Sequence, residues 1–342
     1  MSVMHLLGSN ADGGAETYFV DLVTALGRAG LSEAAAIRQH PGREQALADA
    51  GVAVKTFAFG NPLDIFTRRG IAAFAKAQDA KALVAWMNRA ARHTPSGPWA
   101  RIGRLGGYYK LKNYRGFDAL VGNTRDIVDW MVREGWPAER AHYIPNFAEA
   151  PADTTPVDRA SLDTPAGVPL LLSMGRLHSA KAHDVGLQAL RAIPGAYLWI
   201  AGAGPLEDQL KTLAQALGLT ERVRFLGWRN DPSALYGAAD LCLFPSRFEP
   251  LGNTVIQCWA HGLPVVAAAS QGPAALIRDG DDGLLIPIDD AEALAERANT
   301  LLADAMLRIR LIQNGHARVE AEFSQAAILA QWRTLFAQYG AA

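Results

Sequence analysis

Cysteine is scarce in this 342-residue chain, which contains only Cys242 and Cys258. Both lie in apolar segments, which excludes a disulfide-stabilised scaffold and indicates buried thiols in a reducing compartment. Long apolar runs are also missing, since no stretch approaches the ~18–20 residues of a membrane-spanning helix. The first residues have neither the charged start nor the apolar length of a secretory signal. We therefore expect a cytoplasmic protein.

The chain has almost no net charge, because its 33 Lys and Arg residues nearly balance its 34 Asp and Glu residues. This balance excludes general electrostatic attraction to nucleic acid. Acidic residues are nevertheless missing between Asp79 and Asp118, where basic and aromatic residues alternate. Two interpretations stay open for residues 81–117. We favour contact with an anionic glycolipid or the inner face of the cell membrane, which would place the protein peripherally on that face; the alternative is a solvated basic surface over core aromatics.

Short apolar runs alternate with helix-period segments in both halves of the sequence, a pattern typical of buried parallel strands with helical crossovers. We predict strands at 3–7, 52–57, 82–86, 119–122, 169–174, 196–201, 222–226, 240–244 and 264–269. The length exceeds the ~250–300 residues that one core usually supports. The pattern therefore predicts an α/β protein with two doubly wound Rossmann-like domains. We place the first at 1–150 and the second at 151–325, with a C-terminal helix at 326–342.

Ligands of parallel α/β sheets bind beyond the carboxyl ends of the strands, so the loops there are candidate sites. The loop at 8–16 contains Gly14, where a helix N-terminus could meet a phosphate or where the chain only turns. The loop at 173–184 carries Arg176 and Lys181. Their charges suit a diphosphate, although two solvated cations are the simpler interpretation.

The stretch "RFEPLGNTVIQ" at 247–257 follows another predicted strand and leads into an apolar helix. Thr254 and Gln257 fit a capping box at the start of that helix, and Gly262 fits a cap at its end. The capping box explains Gln257 without a ligand. It does not explain Glu249 in front of the helix N-terminus, where free N–H groups favour an anion or a polar ligand.

Two further patterns are interpreted as structural. The loop at 200–208 lacks the third glycine of a dinucleotide-binding fingerprint, which disfavours a Rossmann dehydrogenase and predicts a turn leading into a helix. The Asp279-Gly280-Asp281 sequence could hold a divalent metal. Because glycines enclose it and a strand-like run follows, we predict a hairpin-like turn there and no metal site.

Taken together and in order, these motifs resemble the GT-B-fold retaining glycosyltransferases of family 4. The resemblance covers the second half of the chain and the first 30 residues, and it is carried by "GGAE" (13–16), "GRLHSAK" (175–181), "AGAGPLEDQL" (201–210) and "FPSRFEPLGNTVIQCWAHGLPVV" (244–266). It implies two Rossmann-like domains facing a cleft, with the C-terminal helix crossing back to the first domain. It also implies metal-independent hexosyl transfer from a nucleotide-sugar donor, as co-substrate with no cofactor, to a glycan or glycolipid acceptor. Such transfer serves cell-surface polysaccharide or lipopolysaccharide synthesis.

The resemblance also implies roles for individual residues. Arg176 and Lys181 would bind the donor diphosphate, and Glu249 would accept hydrogen bonds from sugar hydroxyls. The remaining implied contacts are donor binding by Gly14, by the backbone of Leu251, Gly252, Asn253 and Thr254, and by Gln257 at the ribose, with the acceptor lined by Trp86, Asn88 and Arg89.

This sequence departs from the family pattern at three places. Gln257 replaces a usual glutamate, which predicts weaker or altered nucleotide contact because a carboxylate gives stronger, charge-assisted bonds to hydroxyls. Ala182 stands where glycine is common, and the segment after 82–86 lacks a histidine that family members often have. A nucleotide-sugar-binding protein of the same fold with impaired catalysis is therefore the alternative function.

Overall fold

The computed structural model describes residues 2–11, 13–31, 34–61, 63–151 and 153–341. The chain divides into two compact units. Unit 1 comprises Met1–Asn146 and Gln325–Ala342, and unit 2 comprises Phe147–Ser324. Each unit is built on one parallel sheet with helical crossovers, which confirms the predicted fold of two doubly wound Rossmann-like domains. Among the described helices, none is long and apolar enough to cross a membrane.

Unit 1 contains a seven-stranded parallel sheet. Its strands are β1 (Val3–Leu7), β2 (Ala34–Ile37), β3 (Ala53–Thr56), β4 (Ala82–Trp86), β5 (Ala100–Leu105), β6 (Ala119–Gly122) and β7 (Ala141–Tyr143). Its helices are α1 (Gly14–Arg28), α2 (Pro41–Asp49), α3 (Ile65–Ala77), α4 (Met87–His93) and α5 (Arg125–Arg133). The strand order β3-β2-β1-β4-β5-β6-β7 reverses between β1 and β4. A reversal of this kind opens a crevice at the carboxyl ends of the two strands.

Unit 2 contains a six-stranded parallel sheet in the order β10-β9-β8-β11-β12-β13. Its strands are β8 (Leu170–Met174), β9 (Tyr197–Ala201), β10 (Val223–Gly227), β11 (Leu241–Phe244), β12 (Val265–Ala268) and β13 (Leu284–Ile286). Its helices are α6 (His183–Leu190), α7 (Glu207–Ala216), α8 (Pro232–Ala238), α9 (Asn253–Ala260), α10 (Gln271–Leu276), α11 (Ala291–Ala303) and α12 (Ala305–Arg318). Here the order reverses between β8 and β11, so their loops are the expected ligand-binding edge.

The last helix, α13 (Gln325–Gln338), belongs to unit 1 although it follows unit 2 in sequence. Its apolar stripe is buried, with Trp332 and Phe336 fully enclosed, and the helix packs against α1. A stripe of this kind is stable only when it covers an apolar surface. The predicted return of the C-terminal helix to the first domain is confirmed.

The nine predicted strands are all present, and β13 corresponds to the strand-like run after the Asp279 turn, but β2, β5 and β7 were not predicted. β2 reads "AAAI" and β5 carries two arginines, so neither has the β-branched or apolar run that marks a buried strand. The hairpin-like turn predicted around Asp279 is wrong in one respect. β13 pairs in parallel with β12, so the turn does not join antiparallel strands.

Candidate functional site

In unit 2, the loop after β8 is fixed by close backbone packing. Gly202, which follows β9, has a φ of 147°, and a Cβ there would lie 2.0 Å from the carbonyl oxygen of Gly175. A Cβ on Gly204 would lie 2.4 Å from the carbonyl oxygen of Leu177. Only glycine permits such approach. The two glycines thus support the loop that carries Arg176, rather than forming a nucleotide fingerprint of their own.

His183, for which we predicted no role, also holds this loop in place. Its buried ring donates a hydrogen bond from Nε2 to the carbonyl oxygen of Gly175 at 3.3 Å and accepts one at Nδ1 from Ser173 Oγ at 3.0 Å. Burial lowers the pKa of His183 to about 4, so the ring is neutral at pH 7. The only sequence signal was a histidine directly after the basic loop.

Lys181 and Glu249 form an ion pair that joins the loops after β8 and β11. The side chains are largely shielded, with 25% of Lys181 and 12% of Glu249 exposed. Oε1 of Glu249 also accepts a hydrogen bond from the backbone N–H of Gly252 at 3.2 Å. One carboxylate therefore links the ammonium group to the start of α9, and the fold brings these two predicted residues together.

The start of α9 contradicts the predicted capping box. The N-cap is Gly252, in the left-handed region at φ 80°, and no side chain caps the helix. Thr254 is therefore inside the first turn, where it hydrogen-bonds Tyr236 instead. The half-buried Gln257 side chain makes no hydrogen bond to any residue in the described ranges. At the other end, Gly262 has φ 64°, as predicted for the cap.

Arg247, which was not predicted as functional, braces these loops. Its guanidinium bonds both carboxylate oxygens of Asp184 at 2.9 and 2.6 Å, the carbonyl oxygen of Ser179 at 3.0 Å, and Asp289. Bidentate contacts of this type fix geometry as well as charge. Arg176, by contrast, is exposed and forms no ion pair with the described residues. Its charge is available to a ligand.

The described part of the chain contains no group of three or more His, Cys, Asp or Glu side chains placed to hold a metal ion. The carboxylates of Asp279 and Asp281 have protein partners. Asp279 accepts from the backbone N–H of Leu285 at 2.9 Å, and Asp281 accepts from Nδ2 of Asn314 at 2.8 Å. Both contacts tie the turn to its neighbouring elements.

Gly14 begins α1 in unit 1, and a Cβ added there would meet no atom within 4 Å. The fold itself therefore leaves room for a larger residue at position 14. This contrasts with Gly202 and Gly204, whose glycine is demanded by neighbouring backbone.

Trp86, Asn88 and Arg89 line one pocket of about 370 Å³ in unit 1. Trp86 is only 4% exposed, and its indole N–H donates to Nδ1 of buried His5 at 3.1 Å. Oδ1 of Asn88 accepts from Nδ2 of Asn113 at 2.8 Å, whereas Arg89 is exposed. The structure brings these three predicted residues together, with Trp86 as a wall rather than a free contact.

The basic and aromatic segment at 81–117 proves to be mixed. Trp86, Trp99, Tyr114 and Phe117 are buried and belong to the core, and only Tyr108 among its larger apolar residues is substantially exposed. Its exposed positions are shared between lysines and arginines and small residues such as Ser96 and Gly97. Core packing therefore explains most of the aromatic residues in this segment, without a membrane or a ligand.

Comparison with known proteins assigns the chain to a family. Residues 154–318 match the family model described as glycosyl transferases group 1. Over 331 residues, the chain is 39% identical to the lipopolysaccharide core biosynthesis glycosyltransferase LpsE of Rhizobium meliloti, covering 95% of this chain and 96% of the relative. The chain belongs to the glycosyl transferases group 1 family.

Other relatives agree with this assignment. The glycosyltransferase is 33% identical to LpsD of Rhizobium meliloti, also named for lipopolysaccharide core biosynthesis, over 98% of both chains. Its fold is similar to that of Anabaena HepE, crystallised in complex with UDP-glucose, with a TM-score of 0.83 at 20% identity over 99% of this chain and 100% of the other. At that identity, the similarity to HepE shows the fold alone.

Proposed function

We propose that this glycosyltransferase is a retaining, metal-independent enzyme of family 4 that moves a hexosyl group from a nucleotide diphosphate sugar to a glycan or glycolipid. The observation that carries the proposal is the shielded Lys181–Glu249 pair at the N-terminus of α9. It combines a phosphate-binding cation, a hydroxyl-binding carboxylate and helix amides within one small region. The names of LpsE and LpsD support a role in lipopolysaccharide or related polysaccharide synthesis.

The chemistry requires a stabilised leaving group, because breaking a sugar–diphosphate bond places negative charge on phosphate oxygen. Arg176 and Lys181 would neutralise that charge, together with the amides at the start of α9. Loss of one such contact typically costs ~10²–10³ in rate. With two cations and the positive end of a helix dipole at the leaving group, no metal is needed. Retention then follows from attack on the same face, with the leaving phosphate oxygen accepting the acceptor's proton and no enzyme nucleophile.

Glu249 would have two successive partners in this scheme. Without donor, it pairs with Lys181. With donor bound, Lys181 contacts the diphosphate and the carboxylate accepts hydrogen bonds from sugar hydroxyls. The backbone of Leu251, Gly252 and the first residues of α9 would hold the same sugar and phosphate.

At the nucleotide end, the ribose would contact Gln257. The Gln257 amide can accept from one ribose hydroxyl and donate to another, since no described residue occupies it. Gly14 would allow the diphosphate to approach the backbone of α1, which accounts for a glycine that the fold does not demand.

Binding of nucleotides tests the proposal most directly. Thermal-shift titrations with UDP, GDP, ADP and dTDP should give a stabilisation with one of them, about 2.7 kcal/mol at a hundredfold excess over Kd. The Arg176→Ala and Lys181→Ala variants should lose it. Lys211→Ala, which removes an exposed Lys–Glu pair on α7, is the matched control and should keep it. Survival of the shift in both site variants would disprove this diphosphate site.

The alternative function is nucleotide-sugar binding with impaired catalysis, for which the neutral Gln257 is the reason. Incubation with the sugar nucleotide that gives the largest thermal shift distinguishes the two. Slow donor hydrolysis or transfer establishes an enzyme, whereas tight binding with neither reaction supports the alternative.

We also propose peripheral contact with an anionic membrane, through unit 1. Leu63, which precedes α3, and Phe66, in its first turn, are 84% and 80% exposed, and Arg68 and Arg69 lie two and three residues after Phe66 in the same helix. Exposed apolar side chains next to cations suit the interface of an anionic bilayer. Pelleting with phosphatidylglycerol vesicles should retain the protein, and a Leu63→Ser/Phe66→Ser variant should stay in solution. Equal pelleting of both proteins would refute this surface.

A further inference from the structure

The pocket in unit 1 is unusual in its charge. It lies where the strand order reverses, at the carboxyl ends of β1 and β4, and it is bounded by the loop Gly8–Ala11 and the start of α4. Its described lining includes Arg38, Arg89 and Arg92, but no aspartate or glutamate. Three guanidinium groups around about 370 Å³ make a strongly positive cavity.

The arginines keep unused hydrogen-bonding capacity. Arg38 makes one long contact, 3.3 Å from NH1 to Oδ1 of Asn10. Arg89 and Arg92 form no ion pair with a described carboxylate, and the buried Nε of Arg92 has no partner among the described residues. A guanidinium carries five donors, so these groups can bind an anion without breaking existing ion pairs.

The loop on the opposite wall is held rigid by a fourth arginine. Arg43, which is 4% exposed, donates from NH1 to the carbonyl oxygen of Ser9 at 2.8 Å and from NH2 to that of Ala11 at 3.0 Å. On the α4 side, Arg68 donates twice to the carbonyl oxygen of Arg92, at 3.1 and 2.6 Å. Both walls of the pocket are therefore preorganised, which lowers the entropic cost of binding.

The rest of the lining suits a sugar. Trp86 and Tyr109 supply aromatic surface, and Ser9, Asn10 and Asn88 supply hydroxyl and amide groups for hydroxyl recognition. A neutral sugar would use these groups and gain less from the arginines, whose hydrogen bonds to a charged acceptor are the stronger ones. An acidic sugar would use both.

We propose that this pocket binds the acceptor through an anionic group, a phosphate or a carboxylate, carried on a sugar. The inference rests on the proposed transfer function, since it assigns the pocket to the acceptor. It goes further by naming the chemical class of that acceptor as an acidic sugar, and by adding Arg38 and Arg92 to the residues that bind it.

Titration calorimetry with simple probes tests the proposal. Mannose 6-phosphate and glucuronate should bind at least about tenfold more tightly than mannose, because charged hydrogen bonds are the stronger ones. An Arg89→Gln/Arg92→Gln variant should lose at least about tenfold in affinity for the acidic sugars. Lysine in place of glutamine at position 89, in an Arg89→Lys/Arg92→Gln variant, should recover part of that loss because it keeps the positive charge. Arg28→Gln in the last turn of α1 removes an exposed cation outside the pocket and should bind like the parent protein.

Three results would overturn the proposal. Equal affinity for acidic and neutral sugars would show that the charge is not used, and unchanged affinity in the double variant would place the anion elsewhere. Glycerol phosphate binding as tightly as mannose 6-phosphate would indicate a phosphate or lipid headgroup rather than a sugar. UDP binding, measured on the same variants, separates this question from the donor site. If UDP fails to bind while the acidic sugars bind as expected, the proposed function fails and the pocket assignment stands.

Discussion

Replacing Glu249 by glutamine should change UDP binding and donor turnover in opposite directions. The carboxylate neutralises Lys181 in the unliganded protein, and both side chains are largely shielded from solvent. A diphosphate must therefore displace or share this pairing and also approach a negative charge. Glu249→Gln removes both obstacles, so UDP should bind more tightly while the hydroxyl contacts that orient the sugar become weaker.

The size of the expected change in UDP affinity follows from the position of the Lys181–Glu249 ion pair. Two charges 4 Å apart interact by about 4 kcal/mol at an effective dielectric constant near 20, before desolvation is counted. Because the pair keeps partial contact with solvent, the net gain in UDP affinity should be roughly three- to tenfold. Loss of a charged contact to the reacting sugar should lower turnover by ~10² or more. The fold should persist, since the glutamine oxygen can still accept from Gly252 N–H.

Calorimetry with UDP and a donor-hydrolysis or transfer assay measure the two effects. Glu207→Gln breaks a more exposed Lys–Glu pair, with Lys211 on α7 outside the loops of the site, and should change neither. The affinity gain should shrink as salt is added, because ions screen the carboxylate. Weaker UDP binding in Glu249→Gln would refute the competition between carboxylate and diphosphate. Unchanged turnover would show that Glu249 does not contact the sugar.

Four further changes test other parts of the structure. The pKa of His183 is about 4 in the fold against 6.5 unfolded, so the unfolded chain binds the proton first as pH falls. Urea unfolding should therefore show a loss of roughly 2 kcal/mol from this group between pH 7 and pH 5, and a His183→Gln variant should show a correspondingly flatter slope. Gly202→Ala should destabilise unit 2 by several kcal/mol, measured by the same method, because its Cβ would overlap the Gly175 carbonyl. Gln257→Glu should leave stability within about 0.5 kcal/mol, since no cap is lost, while calorimetry shows tighter UDP binding; a change in stability alone would restore the structural interpretation. Gly14→Ala should leave the melting temperature unchanged or slightly higher and weaken donor binding, and undiminished donor binding would remove Gly14 from the site.

Sequence patterns gave correct predictions where the residues of one segment determined the structure of that segment. Apolar runs marked nine strands, and Gly262 marked the end of α9. They failed at the start of that helix. Thr254 and Gln257 have the spacing of a capping box, but the left-handed turn at Gly252 starts the helix two residues earlier and removes Thr254 from the cap position.

Sequence alone determined the α/β alternation, the two-domain fold and the identity of the charged loop residues, because these depend on periodicity and on residue type. The tertiary structure decided which of those residues meet. Lys181 and Glu249 are 68 positions apart and pair only because β8 and β11 are neighbours. The arginines of the unit 1 pocket come from the loop after β2 and from helix α4, which follows β4, and no local pattern relates them. Parallel sheets bring distant loops to one edge, and that juxtaposition is a property of strand order rather than of any single segment.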